Sequence, residues 1–523
     1  MNNLILKHII SCDVGNGYGK AAILLAPDRD PEYLMPESLR AGMPTTAHVT
    51  TTGKIEVYPA RRVSANRAIR AVKTRLNEPT IHLQDKNKSY TVTPGEVYAA
   101  IARDLVTLAN TELRNRRMDP AYELVLTYPA SFAQSPELLS RLKASIESVV
   151  LDGHALKVRG MLPEPAAVAL DYLYYLRHLD KNPIAEKEYT VLVYDLGHGT
   201  FDTAVVTAYD DHSKPYDLRS QDGDPEVGGR IFDDLLYREL CSQLKDVEGY
   251  APGTAGEYLR NIAVEMKHEL SSSMSAERDL PIGENGATVQ ITRERFEALI
   301  APQIHRTLEL VMSQLEQARR NGIKVDAIIL SGGSSQIPAI RQALTELTEN
   351  QLPVAIYRPS KAVAYGAARY AQGIAPEADT TTAQNRPTSD IPRGNTAMTQ
   401  HADRSYGLWL PDENSLKGVV RFLIDTEAAL PFTSEPITVP TSGSDRTRLC
   451  LYMTRDPAPG AQKGDVDQCR NVRNLFFTLP SRTDCVITLE MDENRCIRVS
   501  CRLPDGKVVS KTTFDAITPG KEP

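Results

Sequence analysis

The chain has 523 residues, 41% of them hydrophobic and 24% charged, with a formal net charge of -7. That length exceeds one core, so at least two domains are expected, and an acidic balance with both signs spread along the chain argues against general nucleic-acid binding. No apolar run reaches bilayer-spanning length, no cleavage pattern follows Lys7, and seven cysteines without C-x-x-C spacing fit a reducing cytosol better than a disulfide framework.

The first element in the chain is a hairpin. Ile9 to Cys12 is a short, mostly apolar run, Asp13 closes it, and Gly15-Asn16-Gly17-Tyr18-Gly19-Lys20 turns it into the apolar run Ala21 to Leu25. Asn16-Gly17 is a strong hairpin-turn pair. Ile55 to Tyr58 reads as a strand. Arg62 to Arg75 has helical spacing with Arg67, Arg70, Lys73 and Arg75; it is either a solvated basic face or a source of a cation for phosphates. Thr93-Pro94-Gly95-Glu96 is a helix start with a capping box, and Val97, Ala100, Ile101, Leu105, Leu108 and Ala109 form its stripe. Leu124 to Pro129 reads as a short buried strand, and Ser135-Pro136-Glu137 as another helix start. Glu164 stands between Pro163 and Pro165 at the head of an Ala-rich helix. An acid there is ordinary capping, but two prolines fix its aim.

The central stretch repeats the design of the first hairpin. Val191 to Tyr194 is apolar, Asp195 ends the run, Leu196-Gly197-His198-Gly199-Thr200 turns, Phe201 and Asp202 follow, and Ala204-Val205-Val206 is apolar again. Glycines let backbone approach a ligand, and exposed amides bind anions. A carboxylate beside phosphates needs a cation between them, which implies Mg²⁺. Either loop alone could be an ordinary Gly-turn hairpin with surface acids. Two of them suggest one nucleotide clamped between two similar halves. Gly228-Gly229 precedes a helix and Glu265 to Ser271 ends one. Ala327 to Leu330 is a buried strand running into Ser331-Gly332-Gly333-Ser334, where a flat ring could lie on backbone. Ala362 to Ala368 is a close-packing helix. From Pro376 to about Asp403 Thr, Asn, Gln, Pro and Asp dominate, as in a flexible linker. Beyond it, runs such as Thr447 to Met453, Val486 to Met491 and Cys496 to Leu503 take a period of two, an all-β module, expected to be a sandwich. Its five cysteines, Cys450, Cys469, Cys485, Cys496 and Cys501, read as small apolar strand residues, with a metal site as the less favoured alternative.

Together these residues resemble the seventy-kilodalton heat-shock chaperones of the DnaK type, in the actin and sugar-kinase ATPase superfamily. Tyr194 to Asp202 resembles that family's second phosphate loop, Pro163 to Ala167 its connecting segment, Ser331 to Pro338 its adenosine loop, and the C-terminal module its peptide-binding sandwich. The resemblance implies an α/β actin-like nucleotide-binding domain of two halves over 1–373, a polar linker over 374–403 and a β-sandwich without a helical lid over 404–523. It implies that Asp13, Glu164 and Asp195 order waters around Mg²⁺, that Lys73 positions the attacking water, and that Thr200 and Asp202 lie beside the γ-phosphate, near which family members bind K⁺. Gly15, Asn16, Gly17, Tyr18, Lys20, Gly197, His198, Gly199, Gly228 and Gly229 would surround the phosphates of ATP or ADP. Lys267 and Ser271 would meet ribose and adenine, with Gly332, Gly333 and Ser334 opposite. The expected activity is slow ATP hydrolysis by a cytoplasmic monomer that binds unfolded peptide or a dedicated client, with a J-domain partner or exchange factor, and neither nucleic acid nor membrane. The chain departs from the family at Asn16-Gly17, Lys20, His198 and Ser360-Lys361, and in its polar linker. His198 and the linker keep open a non-hydrolysing scaffold. Asp13 with Lys20 keeps open an actin-like filament protein, against which the Pro-Glu-Pro segment and sandwich argue.

Overall fold

The structure, a computed structural model, is described for residues 8–374 and 398–515, apart from 27, 58–63, 181–185, 211–214, 248–249, 251, 283–285, 403, 413–414, 427, 440–445, 455–459, 479–483 and 493–495. The chain divides into two compact units. One comprises Met1–Ser131, Ser145–Tyr216 and Ser220–Ala397, the other Phe132–Ala144, Asp217–Arg219 and Met398–Pro523.

In the first unit, two sheets repeat one design. Strand β1 (Ile9–Val14) forms an antiparallel hairpin with β2 (Tyr18–Ile23) and lies parallel to β3 (Glu123–Tyr128), which lies parallel to β4 (Lys157–Pro163). In the second sheet, β5 (Glu188–Leu196) and β6 (Phe201–Tyr209) form the hairpin; β7 (Ala327–Ser331) is parallel to β5 and β8 (Val354–Ile356) to β7. Parallel strands covered on both faces are buried, as β7 is throughout and β5 from Thr190 to Leu196, so both read as mostly apolar runs. Strand β4 leads into helix α2 (Glu164–Tyr174) and β8 is followed by α5 (Ala362–Ile374). These equivalent helices pack so closely that a Cβ on Gly366 would stand 1.8 Å from the Ala167 carbonyl oxygen. Only a run of small residues permits that approach.

Helix α1 (Pro94–Asn115) begins with the expected capping box: the Glu96 amide donates to Thr93 Oγ1 at 3.3 Å, and the Thr93 amide to Glu96 Oε2 at 2.8 Å. The basic stretch is not one helix. Ala65–Arg67 and Val72–Arg75 are single 3₁₀ turns separated by the strand Ala68–Ile69, which pairs with Ala47–Val49. Ala71 between them has φ 51°, a left-handed conformation that no α-helix tolerates. Tyr58 and Arg62 lie outside the described residues.

The second unit holds two antiparallel sheets. One orders Lys463–Asp465, Ser415–Ile424, Tyr406–Asp412, Arg446–Thr454 and Cys469–Thr478; the other has Phe432–Thr433, Cys485–Met491, Cys496–Arg502 and Val508–Asp515, with Ile437–Val439 also on Cys485–Met491. Leu449, Leu451 and Met453 of the first meet Ile487, Leu489 and Val499 of the second in one core, which includes Cys485 and Cys501. Two sheets sharing a core make a sandwich. The linker expected over 374–403 lies outside the described residues at 375–397; Met398–His401 is a strand paired with Ala429–Leu430. Among the described residues no helix is long and apolar enough to cross a membrane.

Candidate active site

The repeated hairpins place their acids at equivalent strand ends. In the second, Asp195 and Asp202 face each other directly across the strand pair. In the first, Asp13 is paired in register with Lys20, whose ammonium lies 3.7 Å from Asp13 Oδ2. The Thr127 hydroxyl, from the neighbouring β3, donates to Asp13 Oδ1 at 3.0 Å. Glu164 enters from the first residue of α2, aimed by the flanking prolines, and pairs with the fully buried ammonium of Lys73. Asp202 accepts from the Thr200 hydroxyl at 2.7 Å and the Ser131 amide at 3.4 Å.

Electrostatics join these groups into one cluster. Burial pushes the Asp195 carboxyl up to about 7; Glu164 and then Asp13 add to the rise, against the pull of Lys20 and a hydrogen bond from Ser331. Asp202 is raised by burial and by Glu164, against its bond from Thr200. Burial works against the charge on Lys73, but Glu164 and Asp13 hold its ammonium above the ordinary range. Four carboxyl groups (Asp13, Glu164, Asp195, Asp202) thus face two ammonium groups (Lys20, Lys73), and crowding and burial hold Glu164, Asp195 and Asp202 above the usual carboxylate range.

The two hairpin tips meet. A Cβ on Gly17 would lie 3.2 Å from His198 Cβ, and one on Gly199 would lie 2.4 Å from the Asn16 amide nitrogen. Helix α3 (Gly229–Leu244) starts against the second tip: the Gly229 amide donates to the Gly197 carbonyl at 3.0 Å and the Arg230 amide to that of His198 at 2.7 Å. The third loop closes on the same point. Ser334 Oγ donates to the Gly197 carbonyl at 3.2 Å, and Gly332, at φ 81°, leaves no room for a Cβ between Leu196 and Asp195. Lys267, on α4 (Pro252–Leu270), pairs with Asp233 at 2.6 Å. Asp233 Oδ2 is also 4.0 Å from His198 Nδ1. Burial and nearby Lys267 hold His198 below its ordinary value, so its ring is neutral near neutral pH.

Most residues singled out from sequence therefore converge. Asp13, Lys20, Lys73, Glu164, Asp195, Thr200 and Asp202 form the charged floor. Asn16, Gly17, His198 and Gly199 form the facing tips, and Gly197, Gly228, Gly229, Lys267, Gly332 and Ser334 the adjoining wall. Tyr18 contributes backbone, its carbonyl accepting from the Gly15 amide at 3.1 Å, while its side chain is exposed. Ser271, just past the end of α4, donates its hydroxyl to the carbonyl of Lys267 at 3.5 Å. A Cβ on Gly333 would meet nothing, so that loop face is open. Sequence reasoning missed Thr127 and Asp233. Thr127 precedes a Tyr-Pro strand end and Asp233 lies four residues into a Gly-Gly helix start, patterns that mark position but not partner.

The donor set suits a divalent cation. An uncompensated cluster of buried carboxylates calls for added positive charge. Yet no three His, Cys, Asp or Glu side chains among the described residues are gathered tightly enough to ligate a metal directly. Mg²⁺ keeps several of its waters when bound, so residues that do not ligate it directly can still hold it.

Comparison with known proteins gives the same direction. The sequence profile of the family described as "Hsp70 protein" matches residues 59–384. The protein named "Heat shock 70 kDa protein, mitochondrial" from Dictyostelium discoideum is 30% identical over 290 residues. That match covers 54% of this chain and 40% of the relative, so the chain matches less than half the relative's length.

Proposed function

The chain belongs to the Hsp70 family, with its actin-like α/β fold of two similar halves and a C-terminal β-sandwich, and on that premise we propose that it is a slow Mg·ATPase that binds extended segments of client proteins. In this reading residues 1–373 bind nucleotide, 374–403 link, and the sandwich of 404–523 takes up peptide. The observation that carries it is the buried carboxylate excess beneath two facing glycine loops.

Asp13, Glu164 and Asp195 would hold Mg²⁺ through waters; when bound, the ion neutralises phosphate charge. The amides of the two hairpin tips cradle the phosphates, and Lys20 adds a cation at the first. Lys73, kept protonated by Glu164, orients the attacking water by hydrogen bonding. Thr200 and Asp202 would lie beside the γ-phosphate and steady it, with K⁺ adding charge there. Lys267, Ser271 and the 332–334 loop border the nucleoside. Catalysis of this kind rests on positioning and preorganised charge, with no covalent intermediate. An unfolded peptide or dedicated client, a J-domain protein and an exchange factor are the proposed partners.

Phosphate release from Mg·ATP in K⁺ buffer, measured against protein concentration, tests this. A slow rate per molecule that is independent of concentration supports the proposal. A rate rising steeply above a threshold points to filament assembly. Bound nucleotide without release points to a non-hydrolysing relative, the second reading, which His198 favours because its side chain occupies the contact between the two tips.

A further inference from the structure

Tyr98 is fully buried in the first turns of α1, yet among the described residues its hydroxyl has no hydrogen-bond partner. Buried hydroxyls are almost always met by a partner or an ordered water, because leaving one unmet is costly. Helix α1 packs on β1, which carries Asp13, on β2 and on the turn carrying Lys73. The groups acting on it besides burial are the Cys12 thiol and the Asp13 and Glu164 carboxylates, and all push its pKa upward. It therefore stays a protonated donor beside two acids. Those acids are met by other groups: Asp13 by Thr127 and Lys20, Glu164 by Lys73.

A buried donor that meets no protein acceptor is satisfied by an ordered water, and such a water needs further polar partners. We propose that Tyr98 is a positioning residue whose hydroxyl donates to a water shared with Asp13 and Glu164, anchoring the water shell through which these acids hold the divalent cation. This rests on the proposed Mg·nucleotide site. Outer partners of metal-bound water tune metal affinity without touching the ion.

The test compares the full chain with Tyr98→Phe, which keeps the ring and removes the hydroxyl. ADP binding is measured calorimetrically in EDTA and at stepped Mg²⁺ concentrations, with the thermal midpoint of the free protein alongside. The expected result is unchanged ADP affinity in EDTA, an unimpaired free-protein midpoint, and a rise of about tenfold in the Mg²⁺ needed for half-maximal tightening. Superimposable Mg²⁺ curves would overturn the inference alone, as would an equal loss of affinity with and without Mg²⁺. Absence of Mg²⁺-dependent ADP binding by the unsubstituted chain would overturn the functional reading and this inference with it.

Discussion

Helix α2 buries an acid near each end, and the two are handled differently. At its start Glu164 joins Asp13, Asp195 and Asp202, four carboxylates against two lysines. Farther along, Asp171 is completely buried, yet each oxygen is met: Arg369 Nε at 2.8 Å on one, Arg358 Nη1 at 3.2 Å and the Tyr357 hydroxyl at 3.0 Å on the other. Asp30 binds the other arms of both arginines, at 3.1 and 2.7 Å, and Tyr174 lies under the Arg369 guanidinium. Two acids and two arginines balance. The internally balanced network ties α2 to α5 and works as structure. The unbalanced cluster is a demand for a ligand. Burial alone does not tell the two apart; the charge sum does.

Breaking the balanced network has the largest expected effect. Arg369→Ala leaves Asp171 buried beside too little positive charge, and loses about 3–5 kcal/mol in a denaturant titration. Asp171→Leu with Arg369→Met recovers most of it, because Arg358 and Asp30 keep each other. A loss within error for Arg369→Ala would reduce the network to decoration. In the acid cluster, Asp195→Asn and Lys73→Ala each lower turnover on the order of a hundredfold by removing a preorganised charge, read as phosphate release at saturating Mg·ATP. Unchanged turnover in both would break the site assignment. Smaller still is the contact between tips. Gly199→Ala drives a methyl into Asn16 and weakens nucleotide binding by about 1–3 kcal/mol, and Asn16→Gly in the same chain restores it. Failure of that rescue would mean that the tips do not meet as described.

The repeated strand–acid–glycine pattern was legible because strand period, terminal acid and turn chemistry are local. So were the capping box of Thr93 and the aim of Glu164 between its prolines. The basic stretch before Arg75 misled because helical spacing of charges says nothing about Ala71, whose left-handed backbone divides it. Arg369 follows a run of small helix residues, and its partner Asp171 lies 198 residues away. Tyr98 is buried in α1 beside the stripe read from sequence, but nothing in its local pattern singles it out. What makes these residues polar partners is a register between distant elements, which no local pattern carries.

In the proposed site the cluster around Asp195 lacks positive charge until a cation arrives. A carboxyl raised from 3.8 to about 7 by folding is protonated in the native state and ionised in the unfolded chain between those values. The native state then binds more protons, so this group's contribution to stability is present at low pH and is lost as pH rises toward about 7. An asparagine has no such proton to lose. The decisive measurement is the difference in unfolding free energy between Asp195→Asn and the unsubstituted chain, without nucleotide or metal, from pH 5 to 8. The variant is expected to gain on the unsubstituted chain by a few kcal/mol as pH rises and to level off above about pH 7. A difference that stays flat across this range, or that moves in favour of the aspartate, would contradict it.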